Sequence, residues 1–158
     1  MIKPRLYLET TIPSYLVARR SRDLRLAADQ ETTQEWWEGR RHDFDLFVSE
    51  VVLREASRGD SQFAAARLQS LRGVPVLAAL PTAEELAERL LREGIIPSAA
   101  ADDATHLGFA AAHRMDFLLT WNCRHINNPS LQRRIEQVCA ACSLVCPVIC
   151  TPAELMKE

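Results

Sequence analysis

At 158 residues and 47% hydrophobic content, the chain is sized for one domain with a substantial core, and a formal net charge of -2 excludes a uniformly basic nucleic-acid coat while leaving room for a local patch. The only lysines are Lys3 and Lys157, so there is no Walker lysine and no internal lysine for a Schiff base; a GxGxxG fingerprint is also absent, which makes nucleotide hydrolysis and Rossmann redox chemistry weak candidates. No apolar run reaches bilayer length, the opening MIKPRLYL lacks the apolar stretch of a signal peptide, and the odd cysteine count reads as reduced thiols, so the expected location is cytoplasmic.

In chain order, "RLYLE", "FDLFVS", "VPVLAAL", "DFLLT" and "LVCPVIC" read as short strands alternating with helical patterns. That alternation predicts an α/β fold: a central parallel sheet of about five strands with helices on both faces, in a single domain over residues 1–158. The segment Ser14 to Arg41 reads as a loop leading to one or two helices that carry Trp36 and Trp37, with packing as their expected role. It includes the basic run "ARRSRDLR". Several helix starts are marked: Thr82 with Glu85 as a capping box, Asn128 before Pro129, and Thr151, Pro152 and Glu154 near the C-terminus. Gly59 and Gly94 read as helix stops.

Ligands of open α/β sheets bind beyond the carboxyl ends of the strands, where Glu9 closes the first strand. In "EVVLREASRG", Glu55 shares a helical face with Val51 and Val52, whereas Glu50 sits at the helix start and suits the helix dipole. In "AADDATHLGFAAAH", Asp103 shares a stripe with Leu107, Ala110 and Ala111 and is expected to point inward; Asp102 falls on the side of His106, Phe109 and His113. Asn122 follows the strand "DFLLT" and brings an amide oxygen to the same edge. Each has an ordinary structural reading as an ion-pair partner, helix-dipole partner or turn residue. Converging carboxylates, however, repel unless a cation lies between them, and hard oxygen donors suit Mg²⁺ or Mn²⁺.

Taken in order, Glu9, "VSEVVLREASRGD", "DDATHLGFAAA" and "DFLLTWNCRHI" resemble the PIN-domain nucleases, especially the VapC-type toxins of toxin–antitoxin pairs, from about Leu6 to Leu155. The resemblance implies a PIN-like fold and a Mg- or Mn-dependent endoribonuclease hydrolysing RNA phosphodiester bonds. It assigns the catalytic site to Glu9, Glu55, Asp103 and Asn122, with the metal on Glu9, Glu55 and Asp103. Glu9 stands where the family usually has aspartate. Thr10 and Thr120 resemble the hydroxyl residues beside the family's site, and Arg19, Arg20, Arg124 and His125 are candidates for gripping RNA phosphates. Asp116, before its strand, is expected at the opposite sheet edge. The partners implied are RNA, an antitoxin protein and a second copy of the chain, with no membrane. The alternative is a PIN-like module that binds RNA or protein without cleaving it.

"CAACSLVCPVIC" sets Cys139, Cys142, Cys146 and Cys150 in a series that invites a metal–thiolate site. The periodicity favours packing instead. Leu131, Ile135, Val138, Cys139 and Cys142 trace an apolar helical stripe, and Cys146, Val148 and Cys150 alternate along a strand.

Overall fold

A computed structural model describes residues 2–156; Lys157 and the other ends of the chain, Met1 and Glu158, lie outside the described residues. Five strands, β1 (Arg5–Leu8), β2 (Asp45–Ser49), β3 (Val76–Leu77), β4 (Phe117–Leu119) and β5 (Val148–Cys150), form one parallel sheet in the order β3-β2-β1-β4-β5. The helices are α1 (Thr11–Val17), α2 (Leu24–Arg40), α3 (Glu50–Ala56), α4 (Ser61–Ser70), α5 (Pro81–Arg92), α6 (Ala101–Ala112) and α7 (Pro129–Ala141). This is the expected α/β arrangement.

Successive strand residues point to opposite faces. Leu6, Tyr7 and Leu8 are nevertheless all fully buried, as are Leu118 and Leu119, so both faces of the central strands are covered. On one side Tyr7 meets His106 of α6 edge-on. Elsewhere in the core Trp36 of α2 packs on Phe44, which stands edge-on to Phe117. Trp36 is therefore core, while half-buried Trp37 lies under the Arg41 guanidinium; neither is a free stacking platform.

Local signals are met unevenly. Asn128 accepts from Ser130 N and caps α7, with Pro129 in its first turn. Gly94 (φ +68°) ends α5 in a reciprocal closure, with Gly94 N bonding Leu91 O and Ile95 N bonding Leu90 O, a left-handed position that costs glycine nothing. Thr82 is not a cap: α5 begins one residue earlier, at Pro81, with Leu80 before it, because proline at a first helical position is pre-set for the helix. Thr151 and Glu154 exchange the two hydrogen bonds of a capping box, but they close a run of turns rather than an α-helix. The strand expected at "VPVLAAL" shortens to Val76–Leu77, since Pro75 and Pro81 confine it.

The pairing of α5 with α6 depends on one missing side chain. A Cβ added to Gly108 would sit 2.4 Å from the Ala83 carbonyl oxygen. Only glycine permits that approach, and it lets α6 settle between α5 and the sheet. Ala104 and every residue from His106 to Ala111 are buried as a result.

Candidate metal centre at the strand ends

β1 delivers Glu9 to the carboxyl edge of the sheet, where the Glu9 amide still bonds Leu119 O of β4. The side chain is 4% exposed and its Oε1 accepts three hydrogen bonds, from Thr11 N, Thr11 Oγ1 and Thr120 Oγ1. Both hydroxyls are themselves fixed by backbone donors. Trp121 N donates to Thr11 Oγ1 at 2.8 Å, and Asn122 N donates to Thr120 Oγ1 at 2.9 Å. The carboxylate is thus locked in one rotamer by two amide–hydroxyl relays, the kind of outer support that orients a ligating group. Oε2 has no hydrogen-bond partner among the described residues and faces His106 Nε2 at 4.0 Å.

Glu55 arrives from α3, on the side of buried Val51 and Val52 as the helical spacing requires. Its Oε1 takes Thr10 Oγ1 at 2.6 Å and lies 2.6 Å from His106 Nε2. Burial pushes the Glu55 carboxyl up, but the His106 hydrogen bond and charge, helped by Thr10 and Arg58, bring it below the ordinary carboxylate value. The converse holds at His106. Complete burial opposes the imidazolium, yet the Glu55 hydrogen bond and the charges of Glu9, Glu55 and Asp103 raise it above the usual histidine range. Behind the ring, Nδ1 is 2.7 Å from the Tyr7 hydroxyl, which is 2.7 Å from Ser49 Oγ.

Donor atoms of Glu9, Glu55 and His106 all fall within 4.8 Å of one another, and this is the one such group of three among the described residues. Two carboxylates and an imidazole are a donor set suited to a divalent cation, and the unpartnered Glu9 Oε2 supplies a free oxygen toward it. The residues present fit a metal.

Asp103 stands at the margin of this group. Its Oδ2 is 2.9 Å from His125 Nδ1, so Asp103 and His125 form a second acid–imidazole pair whose charge reaches His106. Asn122 Oδ1 accepts from His125 N at 3.0 Å, the turn role given above as its ordinary reading. It positions the loop that carries His125. Thr10 and Thr120 hold the two glutamates, one each, rather than facing outward.

The arginines divide. Arg19 lies over Phe63 and lines an open cavity of about 530 Å³ with Arg58, Arg67, Gly59 and Asp60. Arg58 links that cavity to the centre through its effect on Glu55. Arg20 pairs loosely with Glu31 on α2, and the exposed Arg124 gives its carbonyl to Asn128. Asp102 is held by Arg54 at 2.9 Å and Arg58 at 3.7 Å. Asp116 accepts from Arg5 N at the opposite edge of the sheet, as expected.

His106 is the member that sequence reasoning missed, because it falls on the helical side opposite the one taken as inward. Ala101 is exposed and Asp102 and Thr105 are half-buried, but every residue from His106 to Ala111 is buried, so this half of the helix has no outward stripe, and the signal available was the lone Gly108 two residues on. The cysteines form no group. All five are free; Cys139 and Cys150 are buried, Cys142 and Cys146 half-buried, and Cys123 exposed. Cys142 packs against the core as its stripe predicts, but only half-buried: α7 ends at Ala141, so Cys142 caps the helix at the rim of the core. No described helix is long and apolar enough to cross a membrane.

A search of protein-family models finds none that matches the chain, and a search of curated proteins finds none either.

Proposed function

We propose that the chain is a metal-dependent endoribonuclease of PIN type that hydrolyses RNA phosphodiester bonds, with Mg²⁺ or Mn²⁺ as the ion and a toxin–antitoxin pair, cytoplasmic location and homodimer as its setting. The observation that carries the reading is the meeting of Glu9 and Glu55 at the carboxyl edge of the sheet, each carboxylate fixed by its own threonine. The bound ion, held by these two residues, would supply acidification of a water and stabilisation of charge developing at phosphorus. The chain's own groups do the rest. Thr120 and Thr11 keep Glu9 from rotating away, and Thr10 does the same for Glu55. Asp103, paired with His125, would orient the attacking water and take its proton. Arg58, Arg19 and the exposed Arg124 supply positive charge for neighbouring phosphates.

The test is cleavage of structured and unstructured RNA in Mg²⁺, Mn²⁺ or EDTA by wild type, Glu9→Gln and Asp103→Asn. Metal-dependent cleavage lost in both variants supports the reading. RNA or protein binding with no cleavage in any metal transfers it to the non-catalytic module.

A further inference from the structure

We propose that His106 Nε2 is itself a ligand of the bound ion, and that the centre therefore takes a first-row transition-metal ion in preference to Mg²⁺. The inference rests on the reading above only in that the cluster holds a cation.

Geometry gives the first support. Two donors each about 2.1 Å from one ion stand roughly 3 Å apart when adjacent and about 4.2 Å apart when opposite. His106 Nε2 is 2.6 Å from Glu55 Oε1 and 4.0 Å from Glu9 Oε2, within a few tenths of an ångström of those two cases. Little movement is needed to place an ion among the three atoms.

The second support is the back of the ring. Nδ1–H can donate to the Tyr7 oxygen while the phenol proton goes to Ser49 Oγ; an ion that displaces the Nε2 proton shared with Glu55 to solvent then meets the Nε2 lone pair on the carboxylate side. Ligating histidines are fixed in tautomer and orientation by such a partner on the other nitrogen. The third is Glu9: a carboxylate 4% exposed with one oxygen tied three times and the other unpartnered and turned toward His106. Because Mg²⁺ favours oxygen and keeps its waters, whereas imidazole nitrogen suits transition ions, this donor set discriminates against Mg²⁺.

Mn²⁺, lowest of the transition series in affinity, is the stringent probe. Calorimetric titration of EDTA-stripped protein should show Mn²⁺ binding at least about tenfold more tightly than Mg²⁺. Pulsed EPR of the Mn²⁺-loaded protein should show coupling to a nitrogen nucleus. His106→Gln, checked for folding by circular dichroism, should lose both the coupling and the preference. Tyr7→Phe keeps the ring and should retain the coupling while weakening Mn²⁺ binding roughly tenfold, which keeps the test decisive if the glutamine variant does not fold. Mn²⁺ bound without nitrogen coupling, Mg²⁺ bound as tightly, or no Mn²⁺ bound at all overturns the proposal. Nitrogen coupling in a protein that cleaves no RNA supports it and defeats the nuclease reading; Mg²⁺-driven cleavage without the coupling does the reverse.

Discussion

Glu55 and His106, 51 residues apart in the chain, meet at 2.6 Å between Oε1 and Nε2, and their shifts from ordinary behaviour are opposite in sign. The carboxylate is stabilised as an anion and the imidazole as a cation. In the ion-free protein each is the other's counter-charge.

That pair sets the pH dependence of the metal-free protein. Glu55, lowered from 4.5, contributes stability above that value and loses it as pH falls through its folded value; His106, raised from 6.5, contributes fully below that value and loses it as pH rises through its folded value. Stability in EDTA should therefore be greatest between these limits and decline on both sides. Urea midpoints measured across the range will show it, and His106→Gln should flatten the alkaline limb. An alkaline limb unchanged in that variant would assign it to other groups.

Ion binding should stabilise the folded chain by mass action, about 2.7 kcal/mol when the ion is at a hundred times its dissociation constant. Glu9→Gln keeps an oxygen for Thr120 and Thr11 but removes the charge that faces the ion. We expect the rise in Tm with Mn²⁺ to shrink or vanish in this variant. An undiminished rise would place the ion elsewhere.

Gly108→Ala should destabilise by about 1–3 kcal/mol through overpacking, because its Cβ would press on the Ala83 carbonyl. Gly39 is the control: it lies in α2 with no atom within 4 Å of an added Cβ, and alanine there should stabilise by about 0.5–1 kcal/mol. Since α6 also carries Asp103 and His106, the first variant should weaken Mn²⁺ binding as well. Chemical unfolding and metal titration of both variants check the contrast.

Under native conditions an alkylating reagent should reach exposed Cys123 before the buried Cys139 and Cys150, because access limits both buried thiols and burial also raises Cys150 to about 12, depleting its reactive thiolate. Peptide mapping after brief labelling reads the order. Fast labelling of Cys139 would mean that α7 opens readily from the sheet.

The sheet was legible in the sequence because its strands are short apolar runs between marked helix starts, and Glu9 and Glu55 were legible because strand ends and helical spacing fix their direction. His106 was hidden, since nothing in "DDATHLGFAAA" announces that α6 is enclosed from His106 to Ala111 except a glycine whose neighbour, Ala83, is distant in the chain. Position placed Asn122 at the sheet edge, but the bond its amide oxygen accepts from His125 N three residues on is a local one that spacing does not announce. The hydroxyl relays behind Glu9 were unreadable because each joins residues brought together only by the β1–β4 pairing.

That pairing also orders the assembly of the centre in time. Glu9 and Thr120 touch at 2.7 Å across 111 residues, and β1 lies between β2, made soon after it, and β4, made much later. A chain emerging from its N-terminus carries Glu9 and Glu55 early, but it cannot lock Glu9 until β4 has closed against β1. Until then β1 presents an open edge that invites pairing with other chains. An interrupted product ending before β4 thus lacks the Thr120 lock on Glu9 and exposes the β1 edge, so the centre is complete only after β4 has been made.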